Sequence, residues 1–372
     1  MKLNGQIFYF RVDASVRIGT GHVNRCLTLA RVLKREGARC FFISRLLNGN
    51  LNELIKECGH VVLNLPPPDL DLHHVNENIP HDSWLEVAWL DDAIQTNNIL
   101  PKIPVNVIID HYALGKKWQS KAVSKIHRCI VIDDLNDREI DCDIYINSSI
   151  KSAALTEEKI STKKQLLGSK YVIMSEGFQK KQKTSIHRRK KRSGSLRDGK
   201  LLICLGGMDV ENLSLKILKG ITCDNFFDNW AIEIVLSRSA PHIHEINNYL
   251  QINKLNCKLL LSVDNMPDLM AEADISIGGA GATAWERCLL GLPSIVVIMA
   301  QNQLGIANYL VDKGSIILSS SDNVEILAHV KKIATYGAKR LQITKNSLGV
   351  CDGKGISRIL SEIQKIIPND PL

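Results

Sequence analysis

The sequence predicts two doubly wound α/β domains that face each other across a cleft. Short β-branched strands alternate with amphipathic helices in both halves of the chain. Each half also contains a strand that runs directly into a glycine-rich turn, at residues 19–21 and at residues 278–281. Strands separated by helices indicate parallel sheets, whose ligands bind outside the carboxyl ends of the strands. We expect an N-terminal domain over residues 1–179, a basic segment over 180–199, a second domain over 200–349, and a C-terminal helix within 350–372 that packs back on the first domain.

Composition places the chain among globular proteins. The chain has 372 residues, of which 45% are hydrophobic, and this is enough for two ordinary domains. The ten cysteines show no CxxC pair and no zinc-type spacing, and nothing at the N-terminus resembles a signal peptide. We therefore expect reduced thiols in a cytoplasmic protein, with no metal and no cofactor. No apolar run approaches the roughly 20 residues that cross a bilayer, so no transmembrane segment is expected.

The positive charge is concentrated in one segment. Residues 180–200 contain ten Lys or Arg and one Asp, whereas the chain as a whole has a net charge of +8. A nucleic-acid-binding domain would spread its cations over a folded face with aromatic residues between them, and this segment has no aromatic residue. We interpret it as a solvated linker or loop, with contact to a polyanion as the lesser alternative. No nucleic-acid partner is expected, and the oligomeric state is not predicted.

The elements of the first half follow from apolar periodicity. Gly37 is a typical C-cap for the first helix, and the three prolines at 66–68 end the third strand because proline cannot continue a ladder. The alternation stops between residues 148 and 200, where the composition turns polar. Strands are predicted at 7–12, 40–43, 61–65, 105–109 and 129–132, and helices at 23–36, 51–58 and 84–96.

The turn before the first helix is the first candidate site. Glycines there let a ligand approach the backbone closely, and the helix start presents unpaired N–H groups, which suits an anionic or polar substrate. A simple turn with a polar first-turn histidine remains the alternative for this motif alone. Asp134 and three other polar residues, His22, Asp110 and Tyr112, are expected to share one rim because parallel strands end at the same edge. The candidate residues of this half are Asp13, Gly19, Gly21, His22, Arg25, Asp110 and Tyr112.

The second half repeats the pattern. A further strand-to-glycine turn lies at Gly206 and Gly207. Strands are predicted at 201–205, 231–236, 258–261, 275–277 and 295–298, and helices at 213–220, 244–250 and 283–290.

The turn at residues 278–283 is where we expect a diphosphate. Its bare backbone amides, the Thr283 hydroxyl and the helix dipole all favour an anion. Glu286 lies one turn further and is suited to accept hydrogen bonds from both ribose hydroxyls; an exposed, paired helix acid is the alternative. Asn302 and Gln303 reach phosphate or sugar, or else only cap the next helix. The candidates of this half are Gly206, Gly207, Gly279, Ala280, Gly281, Ala282, Thr283, Glu286, Asn302 and Gln303.

The combined motifs carry a resemblance that spans residues 10–314. They are FRVDAS, IGTGHVNRCLTLA, IIDHYAL, VIDDLNDREIDCDIYIN, LGGMDVENLSLKIL and ADISIGGAGATAWERCLLGLPSIVV followed by QNQ. Together they resemble the UDP-2,4-diacetamido-2,4,6-trideoxy-β-L-altropyranose hydrolase family of pseudaminic acid biosynthesis. That family is similar in turn to the peptidoglycan N-acetylglucosaminyltransferase, which implies the GT-B fold of two Rossmann-like domains. The resemblance implies that His22 is the catalytic base, that Tyr112 lines the water and sugar site, and that residues 279–283 with Glu286 bind UDP.

The chemistry also follows from the residues. A nucleoside diphosphate is a good leaving group, so cleavage of the anomeric C–O bond needs one base and one anion site. With the base and the diphosphate on different domains, water attacks opposite the leaving group and the configuration inverts. Asp13 or Asp110 orients the base or the water, and the sequence does not decide between them. The leading hypothesis is a hydrolase of a UDP-linked diamino sugar; the alternatives are a GT-B glycosyltransferase and a non-catalytic nucleotide-sugar-binding protein.

Overall fold

The computed structural model describes residues 3–69, 81–122, 126–149, 159–253 and 255–367. The chain divides into two compact units: unit 1 comprises Met1–Ile173 and Lys354–Leu372, and unit 2 comprises Met174–Gly353. Each unit is built on one parallel sheet, of seven strands in unit 1 and six in unit 2. The predicted fold class, two doubly wound α/β domains, is confirmed.

The sheet of unit 1 contains all five predicted strands and two more. Its strands are β1 (Ile7–Val12), β2 (Arg39–Arg45), β3 (Val61–Leu65), β4 (Val105–Asp110), β5 (Ile126–Ile132), β6 (Ile140–Asn147) and β7 (Ile160–Leu167). They pair in the order β3-β2-β1-β4-β5-β6-β7. β7 therefore lies beyond residue 148, where no strand of this domain is predicted. The sequence does not predict β7 because it is an edge strand with five polar residues between its apolar ends.

The core of unit 1 lies on both faces of this sheet. Phe8 and Phe10 belong to one apolar cluster, while Tyr9, between them, belongs to a second cluster with Trp118. Alternate residues of a strand point to opposite faces, so both faces must be covered, as in a doubly wound sheet. The first helices of unit 1 are α1 (Gly21–Arg35), α2 (Asn52–Glu57), α3 (Trp89–Ile99) and α4 (Lys116–Ala122).

The predicted helix over residues 84–96 is wrong at its start. A short 3₁₀ helix (Asp82–Trp84) comes first, and α3 begins only at Trp89. Glu86 lies between them with φ of 55°, a left-handed conformation that interrupts a right-handed helix. Trp84 is thus set apart from α3.

Unit 2 has the five predicted strands and one more at the sheet edge. Its strands are β8 (Lys200–Cys204), β9 (Ala231–Leu236), β10 (Cys257–Leu261), β11 (Ile275–Gly279), β12 (Ser294–Val297) and β13 (Ile317–Ser319). They pair in the order β10-β9-β8-β11-β12-β13. The helices of this unit are α5 (Glu176–Lys191), α6 (Leu213–Thr222), α7 (Ile243–Asn253), α8 (Met266–Glu272), α9 (Ala282–Leu289), α10 (Leu304–Asp312), α11 (Asn323–Thr335) and α12 (Gly337–Leu348).

The basic segment is not a solvated loop up to residue 191, because α5 is a helix that packs within unit 2. Phe178, Ser185 and Arg189 are buried on one side of it. The Ser185 hydroxyl donates a hydrogen bond of 2.7 Å to the Leu290 carbonyl. The sequence pattern concealed this packing, because Arg189 is polar and yet occupies a buried position.

After unit 2 the chain returns to unit 1 with a last helix, α13 (Gly355–Ile366). Ile359 and Ile363 on its apolar side are fully buried in the cluster that also contains Leu29 and Leu33 of α1. A Cβ atom at Gly355 would overlap the Val172 carbonyl, so glycine is required at this helix start. Among the described helices, none combines the length and apolarity needed to cross a membrane.

We predict that Arg189→Ala destabilises unit 2. The Arg189 guanidinium donates to the carbonyls of Met270 and Ala273 at the C-terminal end of α8, and the substitution leaves both without this partner. Hydrogen bonds from a charged donor support a loss of about 2–3 kcal/mol in the free energy of unfolding. Hydrogen exchange of the α5 and α8 amides measures it.

Lys190→Ala is the matched control, because Lys190 is the next residue of α5 and its side chain is exposed. This variant should remain within about 0.5 kcal/mol of the wild type. Equal exchange rates in both variants would contradict a structural role for the buried face of α5.

Candidate functional site

Hydrogen bonds within the loop before α1 fix the conformation of its backbone. The Ser15 hydroxyl accepts from the amides of Arg17 and Ile18, at 3.2 and 3.1 Å, and the Ser15 carbonyl accepts from the Gly19 amide at 2.8 Å. Gly19 has φ of 78°, which favours glycine. A Cβ atom at Gly21 would meet no atom within 4 Å, so the space in front of this turn is open.

His22 lies in the first turn of α1 and is held by a buried carboxylate. Its Nδ1 atom is 2.6 Å from Oδ1 of Asp110, which ends β4 and is fully buried. Arg25, one turn along α1, donates to both oxygens of the same carboxylate, from Nε at 2.5 Å and from Nη2 at 2.6 Å. The three side chains form one hydrogen-bonded group.

The charges of this group fix the tautomer of His22. Burial alone would raise the pKa of Asp110, but the ion pair with Arg25 and the hydrogen bond from His22 outweigh burial and hold that pKa well below its usual range. An ionised carboxylate only accepts hydrogen bonds, so Nδ1 of His22 must be the donor. In the neutral ring, Nε2 then carries the lone pair. Nε2 makes no hydrogen bond to any of the residues that the structure describes.

The group extends to the end of β5. Arg25 also donates from Nη1 to Oδ2 of Asp134, at 2.5 Å, and the Tyr112 hydroxyl donates to the same oxygen at 2.7 Å. Burial raises the pKa of Tyr112 well above its usual value, and the neighbouring Asp134 raises it further, so the phenol stays a donor. The structure thus brings together the four residues, His22, Asp110, Tyr112 and Asp134, that were expected to share one rim.

Aromatic rings surround His22, and two of them were missed from the sequence. The Trp84 ring stacks on the Tyr112 ring at 5.3 Å between centroids, and both meet the His22 ring edge-on, at 5.9 and 4.6 Å. His81 meets the edge of the Trp84 ring at 4.8 Å. Tyr112 itself is buried, with only 4% of its surface exposed. Trp84 was counted as the first residue of the helix predicted over residues 84–96, and His81 lies just before that range.

Asp13 belongs to a different network from His22. It forms an ion pair with Arg11 at 2.7 Å and accepts a hydrogen bond from the Arg45 amide at 2.7 Å, and its other oxygen is 3.5 Å from Nε2 of His111. Asp92 completes this buried network. It accepts hydrogen bonds from Arg11 at 2.6 Å, from Arg45 at 2.6 Å and from Trp118 at 2.8 Å. Of the two acids considered for orienting His22, the structure places Asp110 against it.

Two side chains, those of Gln303 and Arg287, form hydrogen bonds to the backbone of the glycine-rich turn of unit 2. Gln303 accepts from the amides of Ala280 and Met299, at 3.0 and 3.1 Å. Arg287, which is buried, donates from Nη2 to the Gly279 carbonyl at 2.5 Å. A Cβ atom at Gly278 would overlap Arg287, so the glycine allows this packing. The Gln303 oxygen therefore holds the turn, where the sequence had suggested a ligand contact or a helix cap.

The start of α9 offers free backbone donors. Gly281 is its extended N-cap residue, and among the described residues nothing accepts from the amides of Ala282 and Thr283. First-turn amides have no partner inside their own helix and favour anions. Gly206, with φ of 111°, follows β8, and Gly207 accepts from the Ser237 amide at 2.8 Å.

Glu286 has no hydrogen-bond partner among the residues that the structure describes. Its side chain is partly buried, and within the described chain its carboxylate accepts no hydrogen bond. Burial raises the pKa of Glu286 to about 7, although the adjacent Arg287 opposes the shift. The Asn302 side-chain oxygen is likewise buried without a hydrogen-bond partner in the described chain. The Glu286 carboxylate and the Asn302 side-chain oxygen therefore remain available to a ligand. No group of three or more metal-ligating side chains occurs among the described residues.

Known sequences resemble this chain over most of its length. The chain is 26% identical over 298 residues to an uncharacterized protein of Methanocaldococcus jannaschii, covering 78% of this chain and 55% of that protein, so it spans little more than half of that relative. It is 23% identical over 359 residues to the spore coat polysaccharide biosynthesis protein SpsG of Bacillus subtilis (95% and 96% covered). It is 24% identical over 310 residues to UDP-2,4-diacetamido-2,4,6-trideoxy-β-L-altropyranose hydrolase of Campylobacter jejuni (82% and 96% covered).

One family model and several solved structures match as well. Residues 213–353 match the glycosyltransferase family 28 C-terminal domain. The chain is similar to Acinetobacter baumannii MurG, with a TM-score of 0.61 and 12% identity over 97% of this chain and 99% of that one. It is also similar to Anabaena Alr3699/HepE in complex with UDP and glucose, with a TM-score of 0.55 and 13% identity over 98% and 100%. These likenesses show the GT-B fold.

We predict that His111→Asn reduces the acid sensitivity of unit 1. Burial lowers the pKa of His111 to about 3, so between about pH 6.5 and 3 the unfolded chain binds a proton that the folded chain does not. Stability therefore falls as the pH falls, by about 2 kcal/mol between pH 7 and pH 5 from this residue. Asparagine cannot bind the proton but retains an acceptor for the Ala113 amide, which donates to Nδ1 of His111.

Hydrogen exchange of the β1 and β4 amides at the two pH values measures this stability within unit 1. His244→Asn, at an exposed position on α7 of unit 2, should leave the pH difference unchanged. A wild-type difference that persists in full in His111→Asn would assign the acid sensitivity to other groups.

Proposed function

We propose that this protein hydrolyses a UDP-linked 2,4-diacetamido-2,4,6-trideoxy sugar to the free sugar and UDP, in the biosynthesis of a nonulosonic acid such as pseudaminic acid. The observation that carries the proposal is the hydrogen bonding of His22: Nδ1 donates its hydrogen bond to the Asp110 carboxylate, and Nε2 keeps its lone pair with no hydrogen-bond partner among the described residues. The similarity to the Campylobacter jejuni hydrolase and the family resemblance of the motifs around His22 support this substrate class.

The reaction requires one proton acceptor and one anion site. Water attacks the anomeric carbon, the new C–O bond forms as the bond to the diphosphate breaks, and the electron pair leaves with UDP. Nε2 of His22 accepts the proton of the attacking water. Arg25 holds the Asp110 carboxylate in place, and Asp110 keeps the ring in the tautomer that does this and stabilises the imidazolium that results. A single displacement inverts the anomeric configuration.

Unit 2 supplies the groups suited to UDP. The free amides at the start of α9 and the Thr283 hydroxyl favour the diphosphate, where negative charge develops as the bond breaks. Glu286, which lacks a hydrogen-bond partner among the described residues, accepts from the ribose hydroxyls. The buried oxygen of Asn302 is a further acceptor for a donor of the nucleotide.

A glycosyltransferase is the second candidate, and the match of residues 213–353 to the glycosyltransferase family 28 domain favours it. In that reaction, His22 takes the proton from an acceptor hydroxyl in place of water. Incubation with UDP-sugars separates the two functions. UDP release without acceptor supports hydrolysis, and release only with an acceptor supports transfer.

We predict that His22→Asn lowers turnover by about 100-fold to 10,000-fold while the affinity for UDP stays nearly unchanged, because the base acts mainly in the transition state. In oxygen-18 water the wild-type enzyme should place the label on the anomeric carbon of the sugar and none in UDP. Early-time NMR should show the released sugar with inverted configuration.

Arg25→Lys provides a comparison, since lysine retains the charge but not the fork that holds both oxygens of Asp110. It should lower turnover by a smaller factor than His22→Asn. Label in UDP would show P–O cleavage and contradict the role given to His22. Retained configuration would contradict direct attack by water.

We further predict that at pH 8, above the Glu286 pKa of about 7, Glu286→Ala weakens UDP binding by about 1.5–3 kcal/mol, because hydrogen bonds from the ribose hydroxyls to an ionised acceptor are lost. Isothermal calorimetry measures the change. Glu286→Gln keeps one acceptor oxygen without the charge and should fall between the alanine variant and the wild type. Unchanged affinity in a folded Glu286→Ala protein would remove this residue from the nucleotide site.

A further inference from the structure

The polar groups beside His22 are occupied by one another. Both oxygens of Asp110 accept hydrogen bonds from His22 and Arg25. Asp134 accepts from Arg25 and from the Tyr112 hydroxyl through one oxygen. A sugar that reaches Nε2 of His22 therefore finds these side chains already paired. An aromatic side chain adds apolar surface beside the base.

Trp84 provides that aromatic surface. One side of its indole stacks on the buried Tyr112 ring, and its ring lies 5.9 Å from the His22 ring. Tyr112 is covered on this side by Trp84, and the Arg138 guanidinium lies 6.0 Å from its ring centroid. Trp84 itself remains partly exposed. Of these two stacked rings, Trp84 is the one that presents surface to a ligand.

The position of Trp84 is enforced by the backbone around it. His81 and Glu86 both have left-handed conformations, with φ of 64° and 55°, which residues with a side chain adopt only at a cost. Leu85, directly after Trp84, is fully buried and anchors the turn in the core. His81 also packs edge-on against Trp84, at 4.8 Å. The ring is thus held in place before any ligand arrives.

We propose that Trp84 is a specificity-determining residue that packs against an apolar substituent of the sugar, the methyl group of an acetamido or a deoxy carbon. This inference rests on the proposed function and identifies the part of the site that selects the sugar. An apolar substituent gains from contact with the indole. A hydroxyl on the indole face would lose water without gaining a hydrogen bond from the ring carbons. The site therefore favours acylamino and deoxy sugars over fully hydroxylated ones.

The test compares UDP, UDP-glucose and a UDP-linked 2,4-diacetamido-2,4,6-trideoxy sugar by calorimetry. All measurements use the full chain carrying His22→Asn, so that the ligand is not consumed. Adding Trp84→Ala should weaken binding of the diacetamido sugar about 10- to 100-fold, within the range that apolar pockets discriminate, and leave UDP affinity unchanged. Binding of UDP-glucose should change less than threefold. Trp84→Phe should restore most of the lost affinity.

Trp89→Phe is the matched control, because Trp89 begins α3 and makes no ring contact with His22 or Tyr112 among the described residues. It should alter none of the three affinities. Equal weakening of all three ligands by Trp84→Ala, or none, would overturn the proposal. Failure of the proposed function appears separately, as absence of UDP release by the wild-type protein, and leaves the binding comparison readable.

Discussion

The contact between the Arg25 fork and Asp110 is the interaction on which the site of unit 1 depends. Asp110 is fully buried at the end of β4, and burial by itself favours the neutral acid. Arg25 keeps it ionised, and only an ionised Asp110 obliges His22 to donate from Nδ1 and to leave Nε2 free. His22 and Arg25 are three residues apart on α1, a spacing that places both side chains on the same helix face. The short sequence GHVNR thus contains both the candidate base and the cation that fixes its tautomer.

In unit 2 too, some side chains fix the backbone of the site while other groups are left to bind a ligand. Gln303 accepts a hydrogen bond from the Ala280 amide, and Arg287 donates one to the Gly279 carbonyl, so both fix the glycine-rich turn. The amides of Ala282 and Thr283 are left without partners in the described chain. A turn fixed in this way needs little rearrangement when an anion binds, and preorganisation of this kind reduces the free-energy cost of binding.

The sequence was most informative where strands are buried on both faces. β1, β4, β8 and β11 read as short apolar runs, and their ends located the rim that the structure shows. It was least informative where polar residues are buried.

Arg189 on α5 is an example, since its place in the core depends on carbonyls more than 80 residues away. For Gln303 the sequence suggested a ligand contact or a helix cap, because nothing in the neighbouring sequence revealed that its oxygen accepts from the Ala280 amide. The position of Trp84 was not predicted because His81 and Glu86 are not glycines, and nothing in the sequence indicates their left-handed conformations. These features are set by distant contacts rather than by local pattern.

The return of α13 to unit 1 has a consequence for synthesis on the ribosome. The core of unit 1 includes Ile359 and Ile363, which are made after every residue of unit 2. Because domains fold as units during translation, unit 2 can complete its core while unit 1 still lacks a helix. The apolar side of α1 that α13 covers, including Leu29 and Leu33, stays without that cover during this interval. Unit 1, whose first strand is synthesised first, therefore completes its core after unit 2 can complete its own.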